Sequence, residues 1–360
     1  MTSPYSQTRL SSVKSLLDPN QLDAILLTGL ENIRYLSGFT GSDGVLLVTR
    51  DRSYFMTDSR YWTQADEEVK EVQIIHYKKK IEGICTLASD LGLRSLGFES
   101  ANLPYAGFQA LSGRLGENVR LSPLESALKN LRSRKDREEL QLIRKAVEIA
   151  SGAFLHATER IRNGVTEGTI AFEMECFMKQ HGAEGLSFDI IVASGKRAAL
   201  PHGRAGDKRI EQGDFILMDY GTCYQGYHSD ETCTVVLGKP SPEQEKTYQI
   251  VKEAHDLAIE KIRPGIPIEE VDRTARNHIR EAGYGDYFGH STGHGVGLAV
   301  HEDPAVNSEN KDLLQEGMVF TVEPGIYLPD WGGVRIEDMV LVTAHGPEIL
   351  TPLSKELRSI

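Results

Sequence analysis

Apolar and polar positions alternate in short runs over the first hundred residues. After a polar lead, SSVKSLL (11–17) predicts the start of an amphipathic helix. LDAILLTGLENIRYLSGFTGSDGVLLVTRDRSYFMTDSRYWTQA (22–65) then sets short apolar strands between Gly and Asp turns. A helix near 80–91 and a strand at SLGFES (95–100) follow. That order predicts a small mixed sheet carrying helices. LSPLESALKNLRSRK (121–135) reads as a linker, so the expected domains are 1–127 and 128–360. DREELQLIRKAVEIASGAFLHATERI (136–161) is a long helical pattern, with Leu140, Ile143, Val147 and Ala150 on one face and acidic residues at its start.

The second region repeats itself. RNGVTEG (162–168) resembles RPGIPIE (263–269), and each is flanked by helical patterns. The intervals Gly164 to Gly182 and Gly265 to Gly283 are both 18 residues. Each half then runs through strand-like sequence to a histidine, His202 or His301. Two related halves clasping a site between them would leave this trace.

Three strand-like segments carry acid or imidazole where Val or Ile would be ordinary. DFILMDYGTCYQGYHSDETCTVV (214–236) turns at Tyr224-Gln225-Gly226. A hairpin centred between 224 and 225 sets Asp219 opposite Asp230, with Cβ atoms roughly 4.5–5.5 Å apart. VFTVEPGIYLPDWGGVRIEDMVLV (319–342) turns near Asp330, and Glu323 and Glu337 are equidistant from it. One acid in a strand often guards a sheet edge. Two opposed acidic pairs in apolar strands call instead for a cation between them. In FGHSTGHGVGLAVHE (288–302), Gly289, Gly293, Gly295 and Gly297 argue against a helix bearing His290 and His294. Glycines there suggest close approach of backbone to a ligand or metal. Four carboxylates and an imidazole without a thiolate suit two ions of Mn, Co or Fe, or less selectively Zn.

The motifs MDYG, HSDETCT, GHGVGLAVHE, EPGIY and GGVRIED resemble the proline-specific metallopeptidases, the aminopeptidase P and prolidase family, over essentially the whole chain. The resemblance implies an α/β (α+β) protein: a creatinase-like N-terminal domain with a mixed sheet, then a pseudo-twofold "pita-bread" catalytic domain. It implies five metal ligands, Asp219, Asp230, His294, Glu323 and Glu337, with Asp230 and Glu337 bridging two ions, manganese first and cobalt, iron or zinc as substitutes. It assigns proton transfer to Glu323, substrate contacts to His202 and His301, and the proline side of the pocket to His290. Arg335 is expected to pair with a ligating carboxylate or with Tyr327. Phe188, Tyr287, Phe288 and Tyr327 are aromatic candidates for the proline pocket. Family members are dimers whose N-terminal domain lies over the partner's active site. Asn32, Arg34, Tyr35 and the FTGSDG segment are read here as a loop that helps close it, and Asp58, Arg60, Tyr61 and Trp62 as interface candidates.

The chain has 360 residues, which suits two domains, and 40% hydrophobic residues, which is ample for their cores. A net charge of −12 disfavours general nucleic-acid or anionic-membrane binding. The first residues lack an apolar signal core, and no apolar run reaches a membrane span. Cys85, Cys176, Cys223 and Cys233 form no CxxC pair and read as reduced cytoplasmic thiols, the last two near the site. The tail after 343 reads as polar turns. The first reading is therefore a cytoplasmic, homodimeric Xaa-Pro aminopeptidase acting on proline-containing peptides. The alternatives are an Xaa-Pro dipeptidase (prolidase) and, further off, a non-catalytic binding protein of the same fold. Creatine hydrolysis shares the fold but uses no metal, and the intact ligand set speaks against it.

Overall fold

Apolar runs at strand and helix spacing build two compact units, Met1–Arg132 and Ser133–Ile360. The structure is a computed structural model that describes residues 6–124, 128 and 130–360. Part of the expected linker, 125–127 and 129, lies outside the described residues, as does the lead at 1–5.

The first unit is a mixed six-stranded sheet with helices. Its strands are β1 (Ala24–Leu27), β2 (Val45–Thr49), β3 (Ser53–Thr57), β4 (Gln73–His76), β5 (Ser95–Phe98) and β6 (Arg120–Pro123), in the order β4-β3-β2-β1-β5-β6. β1 pairs antiparallel with β2 and parallel with β5. The helices are α1 (Ser6–Lys14), α2 (Leu30–Ser37), α3 (Trp62–Glu68), α4 (Lys80–Asp90) and α5 (Tyr105–Leu115). Two expectations are corrected. α1 lies earlier than the 11–17 pattern predicts. LENIRYLS is helical, so Asn32, Arg34 and Tyr35 belong to α2 and not to a loop. Ile33 and Leu36, three apart, are both buried, and Gly38 ends the helix at φ 78°, the left-handed conformation glycine adopts freely. Asn32 is itself buried and donates to the Glu99 carboxylate, which also accepts from the amide of Gly29 at 2.7 Å. Those bonds occupy polar groups at the start of α2. In the same unit Arg60 Nη2 lies 2.8 Å from both Asp43 and Asp58, and Trp62 stacks on His76.

In the second unit the long helical pattern is α6 (Arg137–Thr158), opened by a capping box in which Asp136 accepts from the amides of Glu138 and Glu139. α7 (Glu167–Gln180) follows, then β7 (Gly185–Leu186), β8 (Ile191–Ser194), β9 (Phe215–Tyr220), β10 (Thr222–Tyr224), β11 (Tyr227–His228) and β12 (Glu231–Val236). The second half has α8 (Pro242–Glu260), α9 (Ile268–Glu281), β13 (Gly293–Gly295), β14 (Glu302–Val306), β15 (Val319–Val322), β16 (Gly325–Leu328), β17 (Gly332–Arg335), β18 (Asp338–Thr343) and β19 (Gly346–Ile349), closed by β20 (Arg358–Ser359). The two larger sheets run β20-β12-β9-β8 and β14-β13-β15-β18-β19, beside a three-stranded sheet β11-β10-β7 and the pair β16-β17.

Each of the two larger sheets has its own helix pair and core. Ile149, Phe154, Ile170 and Met174 of α6 and α7 pack with Val192, Met218 and Val235. Val251, Ile259, Val271 and Ile279 of α8 and α9 pack with Phe320, Val322 and Val340. The repeat extends to single hydrogen bonds. Gly164 and Gly265 both adopt φ 86°, and their amides donate to Ile210 and Leu314, each at 2.8 Å. The pseudo-twofold arrangement is thus written in backbone geometry as well as in sequence.

Candidate active site

The segments that bear the candidate ligands meet at the seam between the two sheets. The β9–β12 register pairs Asp219 with Thr232, because the turn is centred between Gln225 and Gly226. The expected Asp219–Asp230 opposition is therefore corrected by two positions. An even shift preserves the face of a strand, so Asp230 remains a diagonal neighbour on the same side as Asp219. The second hairpin keeps the expected centre: Val322 pairs with Asp338 and Gly325 with Arg335, and Glu323 and Glu337 lie between these pairs.

His294 sits mid-strand in β13. The glycines beside it admit neighbouring strands. A Cβ at Gly293 would lie 1.8 Å from the Thr321 carbonyl oxygen, and one at Gly295 would lie 2.3 Å from that of Asp303. Only glycine lets β13 pass that close.

A cavity of about 500 Å³ is lined by Asp219, Asp230, His294, Glu323, Glu337, His202, His290, His301 and Arg335, with Phe188, Ile191, Pro201 and Arg204 among the rest. Every site residue expected from sequence thus faces one cavity. Of the aromatic candidates, Phe188 lines it. Tyr327 lies behind His290, Phe288 is buried edge-on to His290, and Tyr287 is exposed. Cys233 points away, with Glu231 and Val235, on the opposite face of β12 from Thr232.

The donor atoms fit a cation. Ligand atoms of Asp230, His294 and Glu337 lie within 4.8 Å of one another. His294 Nδ1 lies 3.1 Å from the Gly295 carbonyl and must donate to it. The Nε2 lone pair of the neutral ring then faces Asp230 Oδ2 at 3.5 Å and Glu323 Oε1 at 3.4 Å. Lone pair against carboxylate is repulsive without a positive charge between them. Asp219 Oδ2 accepts from Arg335 at 2.6 Å, while no hydrogen-bond donor among the described residues reaches its buried Oδ1. Burial first, then the neighbouring carboxylates, hold the acids of Asp230 and Glu337 well above the ordinary range. Glu323 is pushed up to about 8 by burial, with the charge of Asp219 adding and Arg335 opposing. Burial also lowers His294 and His290 to about 4, so both are neutral near pH 7.

Around these groups runs a network of directed bonds. Arg335 donates to Asp219, to Tyr327 Oη at 2.9 Å, to Thr232 Oγ1 at 3.0 Å and to the Pro201 carbonyl at 3.2 Å. Thr232 donates in turn to Glu337 Oε2 at 2.6 Å. His290 Nδ1 donates to the Ser291 carbonyl at 2.8 Å, so its Nε2 accepts from Tyr327 Oη at 2.9 Å. Both ring nitrogens of His290 are therefore occupied, which makes it a fixed wall of the cavity. Thr321 donates to Glu323 at 3.2 Å and accepts from the His294 amide at 3.1 Å. Sequence reasoning missed Thr232 and Thr321. A signal was present for the first: Asp230, Thr232 and Thr234 repeat at a period of two, which sends three polar side chains to one face.

A model of metallopeptidase family M24 matches residues 141–344, and a model of the creatinase/prolidase N-terminal domain matches 9–134. The chain belongs to metallopeptidase family M24. It is a metal-dependent peptidase, a hydrolase, and the cavity's donor set fits the divalent ions that membership implies. Among its relatives is an Xaa-Pro dipeptidase of Pyrococcus horikoshii, 42% identical over 97% of this chain and 98% of its own length. The solved Xaa-Pro dipeptidase from Bacillus anthracis superposes with a TM-score of 0.95 at 41% identity, over 99% of this chain and 100% of that one. An X-Pro aminopeptidase from Thermotoga maritima gives 0.87 at 40% identity, over 94% and 98%. These likenesses span both units, and the family's creatinase-like and pita-bread architecture is that of the chain. No helix among the described residues is long and apolar enough to cross a membrane.

Proposed function

We propose that this protein is an Xaa-Pro dipeptidase, hydrolysing the bond between a first residue and a C-terminal proline. The observation that carries the hydrolytic reading is the cavity in which four acids and a neutral imidazole converge around an acceptor without a donor. Relatives and solved neighbours bearing the dipeptidase name move the reading from the aminopeptidase to this alternative.

Asp219, Asp230, His294, Glu323 and Glu337 would hold two divalent ions, manganese by the family resemblance. Such ions supply a Lewis acid and acidify water to near neutrality. Arg335 and Thr232 orient the Asp219 and Glu337 carboxylates through the bonds described above. The nitrogen that leaves from proline is a secondary amine and needs a proton to depart. Glu323 is the carrier in this reading. His301 lines the cavity with its pKa lowered by burial, and it and His202 offer ring N–H donors to the scissile carbonyl. His290, both nitrogens engaged, shapes the wall. Among the cations lining the cavity, Arg204 has a side chain 85% exposed, paired with Asp189 at 3.5 Å, whereas Arg335 is buried in the network. Arg204 is thus available to the carboxylate that a dipeptide presents beside the scissile bond.

The test is product analysis by mass after Mn²⁺ loading. Cleavage of Xaa-Pro with an intact Xaa-Pro-Yaa-Yaa supports the dipeptidase. Release of Xaa from both restores the aminopeptidase, and cleavage of neither by metal-loaded protein supports a binding role. Cytoplasmic residence and a homodimer belong to the same reading, and a monomer in sedimentation would remove the latter.

A further inference from the structure

The residues that follow two of the candidate ligands are also buried acids. Glu231 follows Asp230, and Asp338 follows Glu337. Successive strand residues point to opposite faces, so these two acids lie behind the cavity. There they meet one cation from the tail that sequence reasoning passed over as polar turns. Lys355 Nζ lies 2.5 Å from Glu231 Oε1 and 3.2 Å from Asp338 Oδ1, with its side chain only 7% exposed. Ser151 donates to Glu231 at 3.1 Å, and Thr351 to Asp338 at 2.5 Å.

The lysine is itself held. Its carbonyl accepts from Tyr248 Oη at 3.0 Å, and β20 pairs parallel with β12, with the Ile360 amide on the Val236 carbonyl at 2.9 Å. Between the two sheets the Glu337 amide donates to the Thr232 carbonyl at 3.2 Å, so the clamped backbones are adjacent. Three buried charges are a costly way to hold strands together, and apolar residues of similar volume often do as well or better. What charges add is directionality: one ammonium between two carboxylates specifies their separation.

We propose that Lys355 is a positioning residue for the metal centre, tying backbone 230–231 to backbone 337–338 from behind and so setting the spacing of the Asp230 and Glu337 carboxylates. The inference rests on reading those two as metal ligands. The structure assigns no substrate contact to Lys355, and its effect passes through Glu231 and Asp338.

The experiment compares the full-length protein with the triple variant Glu231→Gln/Asp338→Asn/Lys355→Met, which removes the three charges together and leaves His255, which also faces Asp338 at 3.2 Å, its partner Asp256. Mn²⁺ titration, thermal melting and the separation of kcat from KM are read for each. The expected result is a melting temperature near wild type, Mn²⁺ affinity weakened about 10-fold or more, a lower kcat and an unchanged KM. A variant with the wild-type isotherm overturns the inference. Should the triple variant fail to fold, Thr351→Val carries the test, since it removes the hydroxyl that donates to Asp338 and accepts from the Met339 amide while leaving all three charges in place. A weakened isotherm supports the proposal, and an unchanged one overturns it. Wild-type protein that binds no Mn²⁺ overturns the metal-centre reading, and this inference falls with it.

Discussion

Asp230 and Glu231 are chain neighbours with nearly equal burial, as are Glu337 and Asp338. In front, Asp230 and Glu337 face other acids and a histidine lone pair. Behind, Glu231 and Asp338 face Lys355, hydroxyl donors and, at Asp338, the buried His255 ring at 3.2 Å. The same residue types at the same depth meet a lysine in one place, whereas in the other Glu337 has the Thr232 hydroxyl and, among the described residues, neither acid has a Lys or Arg in contact. Burial of charge is tolerated where the protein brings its own counter-charge, and an uncompensated cluster marks where an external cation belongs. That contrast separates a structural ionic cluster from a metal centre without reference to any relative.

The comparison breaks first at Asp230. Asp230→Ala is expected to lose turnover to background and to lose bound metal. A variant with wild-type metal content and rate would remove the front cluster from the chemistry. Arg335→Lys keeps the charge but not the fork that serves Asp219 and Tyr327 together. Its kcat is expected to fall roughly 10- to 100-fold at saturating metal, and a wild-type kcat would reduce Arg335 to a cross-strand ion pair.

Arg204→Met sharpens the substrate side. A lost charge-assisted bond is worth about 1.5 kcal/mol or more, so KM for Xaa-Pro should rise roughly 10-fold while kcat holds. An equal change for an Xaa-Pro amide, which lacks the carboxylate, would dissociate Arg204 from carboxylate recognition.

The front cluster also predicts a pH signature for metal-free protein. Glu323 is pushed up to about 8 when folded, from an unfolded value near 4.5. A raised acid binds its proton more tightly in the folded state, so its contribution to stability is complete below the unfolded value. That contribution is lost as pH climbs towards 8. Melting of the metal-free protein should therefore fall between pH 5 and about 8, and Mn²⁺ should cancel the fall. A flat profile would mean the acids are already compensated. The smallest effect is expected away from both clusters. Gly265→Ala meets no neighbour within 4 Å, but its φ of 86° strains any side chain by about 1–2 kcal/mol. Melting alone should register it, with kcat unchanged, and Gly164→Ala should match it because the two turns repeat.

Much of this was legible from residues in order. Periodicity located α6 and the strands β1, β2, β3 and β5 of the first unit, but not β4, and β6 falls at the start of the stretch read as linker. The paired intervals around Gly164 and Gly265 announced two halves, and the second acidic hairpin has the register its turn residues imply. Errors arose where one position of context decides the outcome. Gln225 takes φ 47°, so the first turn is centred one residue later than composition suggests. LENIRYLS read as strand and loop because its buried face spans only two turns.

The sequence by itself singled out the acids and histidines that line the cavity, because such residues in apolar strands are conspicuous against a hydrophobic pattern. Tertiary structure alone decided which of two adjacent acids faces the cavity and which is neutralised behind it. It also decided that a lysine 124 residues beyond Glu231 supplies the neutralising charge. Composition and spacing report the charge a chain carries, whereas compensation depends on distances of a few ångströms between residues far apart in sequence.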